Sequence, residues 1–178
     1  MVIKNFVQES LDAGEVIALV SFEVQGAFDA AWWPGILREL KEYKSPKNLY
    51  KLTMNYFIQR TAAVATNSLK AEKTVTRGCP QGSCSGAGLW NLQFNSLLTK
   101  KNLARTKVVA YADDLLIATR GKSVREVENF ANFELSKIER WSRRNKVRFN
   151  EKKSKVILVT RKKRREDKKL YYTCTPVQ

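Results

Sequence analysis

An α+β fold, with helices packed on one face of a largely antiparallel sheet, is what the 178-residue chain predicts. Three observations carry the prediction. Several valine-rich runs are too short for helices, two pairs of such runs lie close enough together to form hairpins, and one long segment repeats apolar side chains at helical spacing. No internal repeat or low-complexity linker divides the chain, and Gly and Pro gather only around 78–88. Residues 1–160 therefore read as one domain and residues 161–178 as a basic C-terminal tail.

The elements follow in order. Residues 16–24 (VIALVSFEV) form a buried strand, so chemistry at their end would sit on a sheet edge. Pro34, after Trp32-Trp33, suits the first turn of a helix whose Ile36, Leu37 and Leu40 share a face. Ser45-Pro46 caps and begins a second helix with Leu49, Leu52 and Tyr56 as its expected buried stripe. Residues 61–66 and 73–77, rich in Val and Thr and joined through Asn67-Ser68, predict a β-hairpin. The loop 78–88 leads into a helix through Leu89, Leu92, Phe94 and Leu97. Residues 107–112 and 115–119 predict a tight hairpin with Asp113 and Asp114 at its tip. Ser123 and Glu126 make a capping box, and Val124, Val127, Ala131, Leu135, Ile138 and Trp141 fall on one helical face behind it. A last strand is expected at 156–160.

Composition narrows the chemistry. With no histidine, the chain excludes a Ser-His-Asp triad, a His general base and any His metal ligand, leaving carboxylates and lysines. Cys79, Cys84 and Cys174 form neither a C-x-x-C pair nor an even disulfide set, which points to a reducing compartment. Neither an 18-residue apolar run nor a signal-peptide pattern occurs, so the expectation is a soluble intracellular protein of nucleus or cytoplasm with no membrane partner. Residues 136–178 hold 16 basic and 4 acidic side chains, against 17 and 13 in residues 1–135. Such a basic stretch fits contact with a polyanion, and it equally fits a solvated tail.

Asp113 and Asp114 lie between apolar runs, where two adjacent carboxylates repel each other unless a cation is near. On their own they fit a solvated hairpin tip as well as a metal site. Glu23 and Asp29, at the end of the first strand, add a second acidic cluster. Two strands presenting carboxylates side by side can hold a pair of Mg²⁺ ions.

Four strings now line up. Phe22-Glu-Val-Gln-Gly-Ala-Phe-Asp29, Arg77-Gly-Cys-Pro-Gln-Gly-Ser83, Tyr111-Ala-Asp-Asp114 and Asn150-Glu-Lys-Lys-Ser154 resemble motifs A, B, C and D of reverse transcriptases, in that order. The string AFDAAWWPGIL is most similar to non-LTR (LINE-type) retrotransposon polymerases. The resemblance implies a polymerase palm, and a two-metal nucleotidyl transfer from dNTP to a DNA primer on an RNA template. It implies that Asp113, Asp114, Glu23 and the Val24 carbonyl hold Mg²⁺, with Mn²⁺ as an alternative. Phe28 matches the bulky gate against a ribose 2′-hydroxyl, although an aromatic there also fits a core. Gln81 and Gly82 match the turn beside the incoming nucleotide, and Lys153 matches the lysine that protonates pyrophosphate, a position that a surface lysine also fills. Asp29 fits a structural role.

Two departures from the family pattern set further expectations. Glu23 stands where the family has aspartate, and Gln25 where related sequences carry a basic residue, so this copy is expected to be impaired as a polymerase. A non-catalytic nucleic-acid-binding remnant of a decayed element is the alternative. Fingers and thumb patterns are not found before residue 16 or after 159, so the chain is expected to be a palm fragment with apolar surface left exposed.

Overall fold

The computed structural model describes residues 2–67, 69–100 and 102–161. In chain order the elements are α1 (Val2–Asp12), β1 (Val16–Glu23), α2 (Ala27–Ala30), α3 (Trp33–Glu42), α4 (Lys47–Phe57), β2 (Thr61–Ala65) and β3 (Lys70–Thr74). They continue with α5 (Gly86–Leu98), β4 (Thr106–Tyr111), β5 (Asp114–Gly121), α6 (Val124–Asn145), a 3-10 turn (Glu151–Lys153) and β6 (Lys155–Val159). The described residues divide into two compact units, one built from those within 2–25, 98–144 and 148–161, the other from those within 26–97 and 145–147. Apart from Arg161, the predicted basic tail lies outside the described residues.

The first unit is organised around β1. Its run of β-branched and apolar residues pairs antiparallel with β5 on one side and β6 on the other, and β4 extends the sheet beyond β5 in the order β4-β5-β1-β6. Because successive side chains alternate faces, Ile17 and Leu19 pack with Ala118, Val159 and Phe6 of α1, whereas Val16 and Ala18 pack with Val127 of α6. The α+β class stands, with one correction. The prediction puts helices on one face, but α6 covers one face while α1, absent from the predicted elements, covers the far end of the other. Ile3, Phe6, Val7 and Leu11 repeat at helical spacing, which supplies the reason: they give α1 an apolar side for Ile17 and Ala118.

The α6 prediction holds at the N-terminal cap. The Ser123 hydroxyl accepts from the Glu126 N–H at 3.2 Å, and the Glu126 carboxylate accepts from the Lys122 N–H at 2.7 Å, one residue earlier than in a regular capping box. Val127, Ala131, Ile138 and Trp141 are buried, but Val124, in the first turn, is exposed. Glu134 is also buried, its charge met by the Leu103 N–H at 2.7 Å and by the Lys137 ammonium at 2.6 Å.

In the second unit α3 begins with Pro34 in its first turn, as predicted. The α4 stripe is corrected. Thr53 and Phe57 are buried, Leu49 and Leu52 are exposed (Leu52 by 68%) and Tyr56 is intermediate under the Arg60 guanidinium. The Trp33 ring stacks on Phe57 with centroids 4.9 Å apart, which turns the 53–57 side of α4 inward. The hairpin is corrected in extent: β3 starts at Lys70, with Thr61 opposite Thr74, and every placed residue of both strands is exposed. Among the described residues, no helix is long and apolar enough to cross a membrane.

Candidate active site

The end of β1 gathers the acidic residues. Register puts Glu23 directly opposite Asp114 on β5, and Asp114 opposite Tyr111 on β4. The expected hairpin tip is refined here. The connection consists of Ala112 and Asp113, with Ala112 in the left-handed region at φ 53°, while Asp114 is already the first residue of β5. The Val24 N–H donates to the Asp113 carbonyl at 2.9 Å, which ties the turn to the end of β1. On the opposite edge, the Asn150 N–H donates to the Glu23 carbonyl and the Gln25 N–H to the Arg148 carbonyl, each at 2.8 Å. The chain then turns through Glu151–Lys153, so the Lys153 ammonium reaches Glu23 Oε1 at 2.6 Å. Glu23, Val24, Asp113, Asp114 and Lys153, separated by up to 130 positions in sequence, thus meet at one end of one sheet.

Like charges directly opposite across two strands disfavour each other, and Lys153 offsets part of that repulsion. Its hydrogen bond to Glu23 raises its pKa above the ordinary lysine range, and the charges of Glu23, Asp113 and Asp114 push the same way. Lys153 therefore keeps its proton at physiological pH. The oxygen donors of this cluster are hard ligands, chemically suited to Mg²⁺ or Mn²⁺. As the side chains stand, no three acidic or thiol groups among the described residues are arranged to hold an ion, and Glu23 Oε1 is turned toward Lys153.

The other predicted site residues belong to the second unit. Gly26, at φ 58°, turns the chain into the short α2, which carries Phe28 and Asp29. The Phe28 carbonyl accepts from the Cys79 N–H at 2.8 Å, and the Ala31 carbonyl from the Gly78 N–H at 2.7 Å. These bonds join α2 to the loop that presents Gln81 and Gly82, both exposed, with Gly82 at a φ of 76° that favours glycine. The loop is tight where it enters α5. A Cβ at Gly86 would stand 2.6 Å from the Pro80 carbonyl oxygen and 2.7 Å from Ser83 Oγ. Gly86→Ala is accordingly expected to destabilise the protein by about 1–3 kcal/mol, because the carbonyl cannot move without unfolding the turn. Urea denaturation of both forms measures it, and an unchanged midpoint would count against the overpacking.

One neighbour of the carboxylates was given no role in the sequence. Tyr111 is 85% exposed and lies across from Asp114. The available signal was strand alternation, which puts the side chain of an aromatic paired with Asp114 on the same face as that carboxylate.

Residues 4–174 match the reverse transcriptase (RNA-dependent DNA polymerase) family. The chain belongs to that family. This reverse transcriptase chain is 34% identical over 155 residues to the Retrovirus-related Pol polyprotein from type-1 retrotransposable element R1 of Bradysia coprophila, a match covering 86% of the chain and 15% of the relative. It is 27% identical over 155 residues to the RNA-directed DNA polymerase from mobile element jockey of Drosophila melanogaster, covering 84% of the chain and 17% of that protein. R1 and jockey are non-LTR retrotransposons, so the LINE-type resemblance holds. The chain spans a small part of either relative's length. Apo telomerase from Candida tropicalis, truncated from its C-terminal domain, shares the palm-type fold with a TM-score of 0.66 at 14% identity, over 88% of this chain and 34% of that one. The family's enzymes are RNA-directed DNA polymerases that use divalent metal ions.

Proposed function

We propose that the carboxylate end of the sheet serves nucleotidyl transfer, adding a nucleotide from dNTP to the 3′-hydroxyl of a DNA primer on an RNA template, as part of a longer retrotransposon polymerase. The observation that carries this reading is the cross-strand pair Glu23 and Asp114 with Asp113 in the adjoining turn. Asp113, Asp114, Glu23 and the Val24 carbonyl would hold Mg²⁺ or Mn²⁺, which when bound supplies a more acidic primer hydroxyl and neutralises charge on the phosphates. The Val24 N–H bond to Asp113 keeps the turn seated on β1, so Asp113 and Asp114 are presented as a unit. Lys153, exposed and held protonated beside Glu23, is the group that would give a proton to departing pyrophosphate. Phe28 would bar the 2′-hydroxyl of a ribonucleotide, and Gln81 and Gly82 would lie along the nucleotide. Segments corresponding to fingers and thumb would complete the grip on primer and template. The free thiols of Cys79 and Cys84 support a reducing intracellular setting, nucleus or cytoplasm.

Asp113→Asn tests the assignment, since it keeps the shape of the side chain and removes its charge. Mn²⁺ binding, followed by electron paramagnetic resonance, is expected to weaken by about tenfold or more as a charged oxygen ligand is lost, and primer extension to fall to background. Unchanged Mn²⁺ affinity and extension would overturn it. A second reading is favoured by one observation, the Glu23 carboxylate bound to Lys153. On that reading the domain retains nucleic-acid binding and has lost polymerisation. Salt-sensitive RNA binding that ignores Asp113→Asn, with no extension by the parent chain, is its signature.

A further inference from the structure

The solvent face of α6 has a composition that helix stability does not explain. The buried side of this 22-residue helix runs through Val127, Ala131, Ile138 and Trp141. On the opposite side, Arg125, Asn129, Asn132, Phe133, Arg140 and Arg144 are all exposed. Basic residues in the last turn complement the helix dipole, which accounts for Arg143 and Arg144. Arg125 stands at the other end, where a cation is unfavourable. Asn129 and Asn132 are poorer helix formers than the Lys, Glu or Ala that a merely solvated face would carry. Phe133 is a large apolar ring 53% exposed in the middle of the helix, with the Lys137 ammonium 5.1 Å from the ring centroid on one side. The acidic side chain at that end of the face, Glu139, is bonded to Arg143 at 2.6 Å, while Arg140 and Arg144 have no carboxylate partner among the described residues.

We propose that this face of α6 is a second nucleic-acid contact, binding single-stranded nucleic acid through phosphates at Arg140 and Arg144 and through a base stacked on Phe133. One helical turn separates the two arginines, a rise of about 6 Å, comparable to the distance between successive phosphates of an extended strand. Arg offers the planar fork that phosphate accepts, Asn the donors and acceptors that sugar and base edges use, and an exposed ring the platform an unpaired base needs. The site is distinct from the carboxylates. α6 packs through Val127 on the sheet face that carries Val16 and Ala18, and strand alternation puts Glu23 on the opposite face. The proposal therefore does not rest on catalysis.

Fluorescence anisotropy with the full chain and labelled 20-nucleotide oligo(U) and oligo(dT) tests it. Arg140→Ala/Arg144→Ala is expected to weaken binding by about tenfold at moderate salt and to reduce the slope of log K against log salt by about 1.4, the value for two phosphates of a single strand. Phe133→Ala is expected to weaken binding by about fivefold or more without changing that slope, and Phe133→Tyr to restore it. Lys47→Ala/Lys51→Ala removes the same charge elsewhere and should have much the smaller effect. A preference for oligo(U) or for oligo(dT) identifies the strand. If the arginine pair matters no more than the lysine pair, or if Phe133→Ala changes nothing while circular dichroism shows intact helix, the proposal is overturned. Equal loss of binding to poly-glutamate of matched charge would assign the face to an acidic protein and overturn it as well.

Discussion

Glu23→Asp is expected to raise primer extension by on the order of 10²-fold, and to tighten Mn²⁺ binding with it. In this chain the carboxylate at position 23 extends far enough to bond the Lys153 ammonium at 2.6 Å. The backbone beneath it is fixed from both sides by the register with Asp114 and by the Asn150 N–H on the Glu23 carbonyl. Removing one methylene therefore moves the carboxylate itself, back toward β1 and Asp114 and away from Lys153. A displacement of about 1 Å at a reacting centre is worth on the order of 10²-fold in rate, which sets the size of the effect. Loss of the hydrogen bond should also return the Lys153 pKa toward its ordinary value, observable by NMR of the side-chain amine. Equal extension and equal Mn²⁺ affinity in the two proteins would show that Glu23 imposes no handicap.

Trp33→Ala is expected to cost about 3–5 kcal/mol, a large share of the roughly 5–15 kcal/mol that holds a domain folded. The indole is buried at the start of α3, stacked on Phe57 of α4 with an interplanar angle of 5°, and its Nε1–H donates to the Gly78 carbonyl at 2.8 Å. Truncation leaves a cavity between the two helices and an unbonded carbonyl at the base of the Gln81 and Gly82 loop. Trp33→Phe keeps an aromatic ring against Phe57 and loses the hydrogen bond and the volume of the second ring, about 1–3 kcal/mol in all. Urea denaturation monitored by circular dichroism gives both numbers. A loss for Trp33→Ala no larger than that for Trp33→Phe would mean that the stack contributes nothing.

Much of the fold was legible because local rules and tertiary demands agree. The valine-rich run of β1, Pro34 at the start of α3 and the Ser123 cap of α6 each state locally what packing then uses. The misreadings occur where the sequence fits two faces equally well. On α4, Leu49, Leu52 and Tyr56 make an apolar stripe as regular as the one that is buried, and the contact of Phe57 with Trp33, 24 positions earlier, chooses between them. The helical repeat of Ile3, Phe6, Val7 and Leu11 was present in the sequence, but only the sheet face with Ile17 and Ala118 gives α1 a surface to cover.

The candidate site divides in the same way. By itself the sequence determined the inventory, carboxylates without histidine and four motifs in order, and with them the reverse transcriptase family. Side-chain chemistry and spacing are local properties, which a sequence states outright. Tertiary structure alone decided which carboxylates meet and what else meets them. Antiparallel register sets Glu23 against Asp114 and puts Asp113 in the turn, and the edge strand's approach brings Lys153 onto Glu23 across 130 positions. Pairing between strands far apart in the chain fixes those distances, so the bond between Glu23 and Lys153 is legible only in the folded sheet.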